Sequence, residues 1–164
     1  MNKNFLFKVD WTVKRIYLSR EFDAPIEKVW KAFTDPELLK QWAVPKDWTI
    51  QDQTWDFTVG GVSTYLMIGP EGERHWMYDE FTTIENGTRF SSIGMYCDDQ
   101  GNPNREGPKS YTENKFFSIE GNRTKIEATH VFDDENTFKW FAEGGFIEGS
   151  AMTYNQLDEV LTSE

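Results

Sequence analysis

The sequence predicts an α+β domain in which antiparallel strands run in series and a long helix closes the chain. Three features point there. Apolar residues recur at every second position in 15–22 and through most of 48–132, the mark of strands with one buried face. Two short helical segments, each led by a proline, interrupt the strands after the first. From 134 to 161 the apolar spacing changes to nearly 3.6 residues. A sheet followed by a final helix argues that the helix covers one face of the sheet.

The first strand places Ile16, Leu18 and Phe22 on one parity, with Arg20 among them. Asp23-Ala24-Pro25 stops it, and proline suits a first helical turn because its missing N–H would be unpaired there anyway. Ile26, Val29, Trp30 and Phe33 then fall at i, i+3, i+4 and i+7, one face of a helix. Asp35-Pro36-Glu37 repeats the device, with Asp35 as cap and Leu38, Leu39 and Trp42 facing inward, until Pro45 ends the second helix.

Segment 48–57 reads as a strand pair or a strand with a bend, and 62–68 as a strand rich in β-branched and aromatic residues. Gly69-Pro70-Glu71-Gly72 is a turn by composition, and 75–84 is the returning strand. Asn86-Gly87 is a strong hairpin signal joining it to 88–96. Segment 98–109 carries no apolar side chain and is expected to be a loop or a disordered flap. A hairpin of 111–119 and 124–132 follows, turned at Glu120-Gly121-Asn122. The last segment, 134–161, reads as one continuous amphipathic helix. Its interior glycines, Gly144, Gly145 and Gly149, each cost about 1 kcal/mol relative to alanine, which suggests something lying close to the backbone.

The chain of 164 residues is expected to form a single domain over 1–164, with its core at about 12–162. Seventeen Lys+Arg against 28 Asp+Glu give a net charge of −11, which argues against nucleic acid and anionic membrane surfaces as partners. No apolar run approaches the ~20 residues of a membrane span, and 1–8 contain no signal-peptide core, so a cytoplasmic location is expected without membrane insertion. One cysteine, Cys97, excludes an internal disulfide and a zinc site built from several thiolates.

Residues 22–36 (FDAPIEKVWKAFTDP) resemble the opening motif of the AHSA1-like branch of the START/Bet v 1-like (SRPBCC) superfamily. Gln41-Trp42, then 59–72 (VGGVSTYLMIGPEG), 98–102 (DDQGN) and 149–157 are similar to its later signatures. The resemblance implies the helix-grip fold: a curved antiparallel sheet wrapped around a long C-terminal helix, enclosing a cavity, with two short helices after the first strand. Ala43-Val44 stands where many relatives carry Trp-Gly, Ser150 where an aromatic is common, and Thr83 where a glutamate is frequent.

Candidate chemistry is sparse. His75, His130 and Cys97 are the only soft or imidazole ligands and show no ligand-like spacing, so neither a metal nor a cofactor is expected. His130 alternates with Thr124, Ile126 and Ala128 and is expected to point inward. There is no Gly-x-Ser-x-Gly elbow, and Asp98-Asp99 would raise rather than lower the Cys97 pKa. Asp133-Asp134-Glu135 reads as a helix cap. The resemblance also implies a cyclase- or hydrolase-like activity, as some members of the superfamily have, but no evident acid–base pair points to catalysis and this is the least favoured reading.

Aromatics make up 16% of the chain, more rings than one sheet and one helix easily pack without a void. If the family pattern holds, Ser63, Tyr65 and Met67 face the helix. With Trp42, Trp76, Phe90, Phe117, Phe146 and Tyr154 they are candidates to line a cavity, where Tyr65, His130 and Ser150 supply polar handles. The expected guest is a small hydrophobic or aromatic molecule, with 98–109 as a lid. The resemblance also implies a second reading, a partner of the Hsp90 chaperone. The aromatic surface leaves homodimerisation open.

Overall fold

The computed structural model describes residues 4–163, and at 52 and 53 the backbone only. Residues 1–3, part of the segment read as lacking a signal sequence, lie outside the described residues. The chain opens with β1 (Leu6–Asp10) and β2 (Arg15–Phe22), followed by α1 (Ile26–Thr34) and α2 (Pro36–Leu39). Six strands come next: β3 (Thr49–Trp55), β4 (Val62–Ile68), β5 (Arg74–Glu85), β6 (Arg89–Tyr96), β7 (Ser110–Ile119) and β8 (Arg123–Phe132). The chain closes with α3 (Glu135–Glu143) and α4 (Phe146–Thr162). The strands form one eight-stranded sheet in the order β1-β2-β8-β7-β6-β5-β4-β3, antiparallel at every pairing. With α4 packed against one face, this is the helix-grip fold.

Alternation divides each strand between two faces. Ile16, Leu18, Arg20 and Phe22 of β2 meet Ile126 and Ala128 of β8 beneath α4, and Leu157 and Leu161 complete that core. Arg20 is fully buried there and bonded through both terminal nitrogens: Nη2 donates to Asn155 Oδ1 of α4 at 2.8 Å and Nη1 to the Glu21 carbonyl at 2.7 Å. Its guanidinium also lies 4.7 Å from the Phe22 ring centroid. Arg20 thereby ties α4 to the sheet.

Capping follows the expectations at Asp35, which accepts from Glu37 N, and at Asp134, which accepts from Thr137 N at 2.8 Å. The helical stretch 36–42 is shorter than expected: α2 ends at Leu39, and Trp42 is buried beyond it with its indole N–H donating to the Ala32 carbonyl at 3.0 Å. Segment 48–57 holds one strand, β3, its register against β4 slipping between Asp52 and Thr54.

Three further expectations are corrected. The 134–161 helix is two helices, broken at Gly144-Gly145. Gly145 has φ +98°, and a Cβ at Gly144 would stand 2.3 Å from the Trp140 carbonyl oxygen, so an ordinary residue fits at neither position. Gly149, by contrast, has nothing within 4 Å of where its Cβ would be, and it faces open space rather than a close neighbour.

Segment 98–109 is neither a disordered flap nor a lid. Asp98 gathers the backbone N–H groups of Gln100 and Asn102, Cys97 and Pro103 form a bridge, and Asn104 N donates to the Tyr96 carbonyl. Arg105 lies over Tyr78 and pairs with Glu80 at 3.6 Å, on the face of β5 turned away from α4. There the loop covers Tyr78 and Met95, which are buried outside the main core.

The third correction is β1. It lies in a region that shows no strand pattern, because Leu6 and Phe7 are both more than half exposed.

Candidate functional site

On the α4 side of the sheet, the residues that remain uncovered by the Ile16–Leu157 core enclose a cleft of about 380 Å³. The sheet contributes Ser63, Tyr65 and Met67 from β4, Met77, Asp79 and Phe81 from β5, and Phe90, Ser92 and Gly94 from β6. Ser110, Thr112 and Asn114 of β7 and Ala128 and His130 of β8 continue the wall, and Phe146, Ser150, Thr153 and Tyr154 of α4 close it. An outer chamber of about 530 Å³ adjoins it, sharing Tyr65, Met67, Met77, Phe146 and Ser150. Its own walls include Trp48, His75, Tyr96, Trp140 and the glycines of the α3–α4 elbow. The helix break therefore shapes the entrance. Gly149 leaves its side-chain space to the same chamber.

Eight of the ten residues singled out from the sequence line the cleft: Trp42, Tyr65, Met67, Phe90, His130, Phe146, Ser150 and Tyr154. Trp76 and Phe117 do not. Trp76 alternates with the inward-facing His75 and Met77 and pairs with Leu66 on the opposite face. Phe117 is 42% exposed, while its neighbour Phe116 is buried in the core. In both cases two bulky residues stand side by side in a strand, and only the register of the neighbouring strands decides which one turns inward.

The polar groups of the cleft fall in two rows across the sheet. In the first, His130 Nδ1 lies 3.1 Å from Thr112 Oγ1, its strand partner, and the imidazole meets Phe146 edge-on at 5.1 Å. Burial away from water pulls the His130 pKa down to about 4, so it is neutral at physiological pH. Burial likewise pushes the Tyr154 hydroxyl well above its usual range.

The second row holds a residue the sequence reading missed. Asp79 pairs with Ser63 on one side and Gly94 on the other, and Gly94 pairs with Ser110. Burial raises the Asp79 pKa to about 6, opposed by the Tyr65 hydroxyl, which donates to Asp79 Oδ2 at 3.0 Å. The available signal was the alternation of β5 counted back from Phe81, which puts a lone carboxylate among apolar residues on the inner face. Cys97 is held above its usual pKa by burial first, then by Asp98 and Asp79, and is no activated nucleophile. Among the described residues no three His, Cys, Asp or Glu side chains converge as a metal site requires. No helix among them is long and apolar enough to cross a membrane.

An open-faced antiparallel sheet gripping a C-terminal helix, with a lined cleft between them, defines a helix-grip protein of the START/Bet v 1-like kind. The sequence profile described as activator of Hsp90 ATPase homolog 1-like protein matches residues 23–162, and the chain belongs to that AHSA1-like family. Protein Ms6760 from Mycobacterium smegmatis superposes with a TM-score of 0.85 at 28% identity, covering 97% of each chain. A protein from Arthrobacter aurescens, solved by solution NMR, gives 0.85 at 31% identity over 96% of this chain and 91% of its own. CalU16 from Micromonospora echinospora shares the fold at 0.63 and 20% identity, over 97% of this chain and 85% of its own. No curated protein matches the sequence.

Proposed function

We propose that the protein is a cytoplasmic binding protein that holds a small hydrophobic or aromatic molecule between the inner face of its sheet and α4. The observation that carries this reading is the unfilled cleft of about 380 Å³, bounded by rings and methionines even though the chain is 16% aromatic. Small-molecule sites typically occupy roughly 300–1,000 Å³, mostly apolar with a few placed polar groups. A guest burying ~250 Å² of apolar surface would gain about 6 kcal/mol at about 25 cal/mol per Å². Asp79 with Tyr65, and His130 with Thr112, supply the orienting hydrogen bonds. Sequestration or transport accounts for such a site without catalysis.

Thermal-shift screening with fatty acids, flavonoids and polyketides tests the reading. Binders should raise the unfolding temperature of the protein. They should fail to do so in Ser150→Trp, which puts an indole into the cleft from α4. A panel that leaves the native protein unmoved counts against it.

A second reading, docking of a protein such as Hsp90, is favoured by the exposed apolar residues of the β1–β2 hairpin. Leu6, Phe7, Trp11 and Val13 are each about half exposed or more. Co-purification with Hsp90 and a change in its ATPase rate would support it, and loss of neither in Phe7→Ser/Trp11→Ser would count against this surface.

A further inference from the structure

One carboxylate faces the cleft with an oxygen unused. Tyr65 occupies Asp79 Oδ2, but among the described residues Asp79 Oδ1 accepts no hydrogen bond and no cationic side chain contributes to its surroundings. Ser110 Oγ, two strands away on the same row, is likewise without a bond among them. Gly94 lies between the two. The point where a Cβ would stand at Gly94 is 3.0 Å from Asp79 Oδ1 and 3.0 Å from Ser110 Oγ. Both oxygens thus overlook one spot of bare backbone, and a single donor nitrogen set above the glycine can reach both.

We infer that the cleft selects a hydrophobic amine, its ammonium seated over Gly94 between Asp79 Oδ1 and Ser110 Oγ and its hydrocarbon among the rings beyond; this rests on the reading of the cleft as a ligand site. Three physical arguments separate an amine from other guests. A buried carboxylate without a counter-ion pays for its desolvation, and an ammonium in a low-dielectric pocket offsets that cost through a charge-assisted bond that a hydroxyl cannot match. The rings of Tyr65 and Phe81 line the same cleft, and aromatic rings attract a cation more strongly than a neutral group. A chain carrying a net charge of −11 attracts cations and repels carboxylic acids before either reaches the entrance.

Three naphthalene probes of one shape and different charge test the inference: 1-naphthylmethylamine, 1-naphthylmethanol and 1-naphthoate, titrated calorimetrically near neutral pH. The amine should bind at least about tenfold more tightly than the alcohol, and the naphthoate weakest of the three. Asp79→Asn should abolish the amine's advantage, bringing the affinities of amine and alcohol within about twofold of each other. Gly94→Ala keeps the carboxylate but crowds the seat, and it should weaken the amine by about tenfold; it also serves if Asp79→Asn fails to fold.

Equal affinity for amine and alcohol in the native protein would overturn the amine preference and leave the hydrophobic-ligand reading standing. A preference that survives Asp79→Asn, or Gly94→Ala, would overturn the seat assigned to the ammonium. Binding of none of the three probes would overturn the inference, and a silent thermal-shift panel beside it would remove the ligand reading as well.

Discussion

Asp79 and His130 face the same cleft, and burial displaces their pKa values in opposite directions, to about 6 and about 4. Between about pH 4 and 6 the unfolded chain has already released the Asp79 proton while the folded protein keeps it, so this group lowers stability as pH rises. Between about pH 4 and 6.5 unfolded His130 binds a proton that the folded protein excludes, so this group raises stability as pH rises. The two slopes oppose one another in the native protein. Asp79→Asn removes one of them. Its stability should climb from pH 4 to 6.5 and exceed that of the native protein above pH 6 by about 2–3 kcal/mol, a gain that fades toward pH 4. Urea denaturation across this range measures it, and a variant whose profile parallels the native one would show that Asp79 titrates as if in water. No compositional signal marked Asp79 in the sequence, because one carboxylate in an acidic chain looks like any other until strand parity assigns it a face.

The elements themselves were largely legible. Period-two alternation found β2 and β4 to the residue, and β5 to β8 within a residue or two, because successive side chains of each turn to opposite faces of the sheet and contrast in character along most of it. Where that contrast fails, so did the reading. β1 exposes Leu6 and Phe7, and its pairing with β2 comes from hydrogen bonds that sequence periodicity does not record. The α3–α4 elbow was hidden by continuous helical spacing on both sides of Gly144-Gly145. Segment 98–109 lacks apolar residues yet is tied down through Asp98 and Arg105, so its polarity reflects local bonding rather than mobility. Gly145 gives the elbow a direct test. A side chain at φ +98° should cost Gly145→Ala about 1–2 kcal/mol in chemical denaturation. A neutral or stabilising result would mean that the break does not depend on the glycine's conformation.

Across the whole molecule, the surplus of rings is divided unevenly. Trp30, Phe33, Phe57, Phe90 and Phe116 pack edge to face at centroid distances of 5.0–6.1 Å beside α1. Trp140 and Phe117 remain exposed, and a third group walls the cleft without filling it. Ring count alone foretold an excess but not where the space would lie, since that depends on how α4 crosses the sheet once Arg20 and Asn155 fix it.

Methionine methyl groups report on that space directly. Met67 and Met77 face the cleft, Met95 is buried on the opposite face and Met152 is exposed on α4. With the methionine methyls labelled with carbon-13 and 1-naphthylmethanol as guest, nuclear Overhauser contacts should run from the naphthalene to Met67 and Met77 and to neither Met95 nor Met152. Contacts confined to Met152 or Met95, or a saturable complex that leaves Met67 and Met77 untouched, would contradict a guest held between sheet and helix.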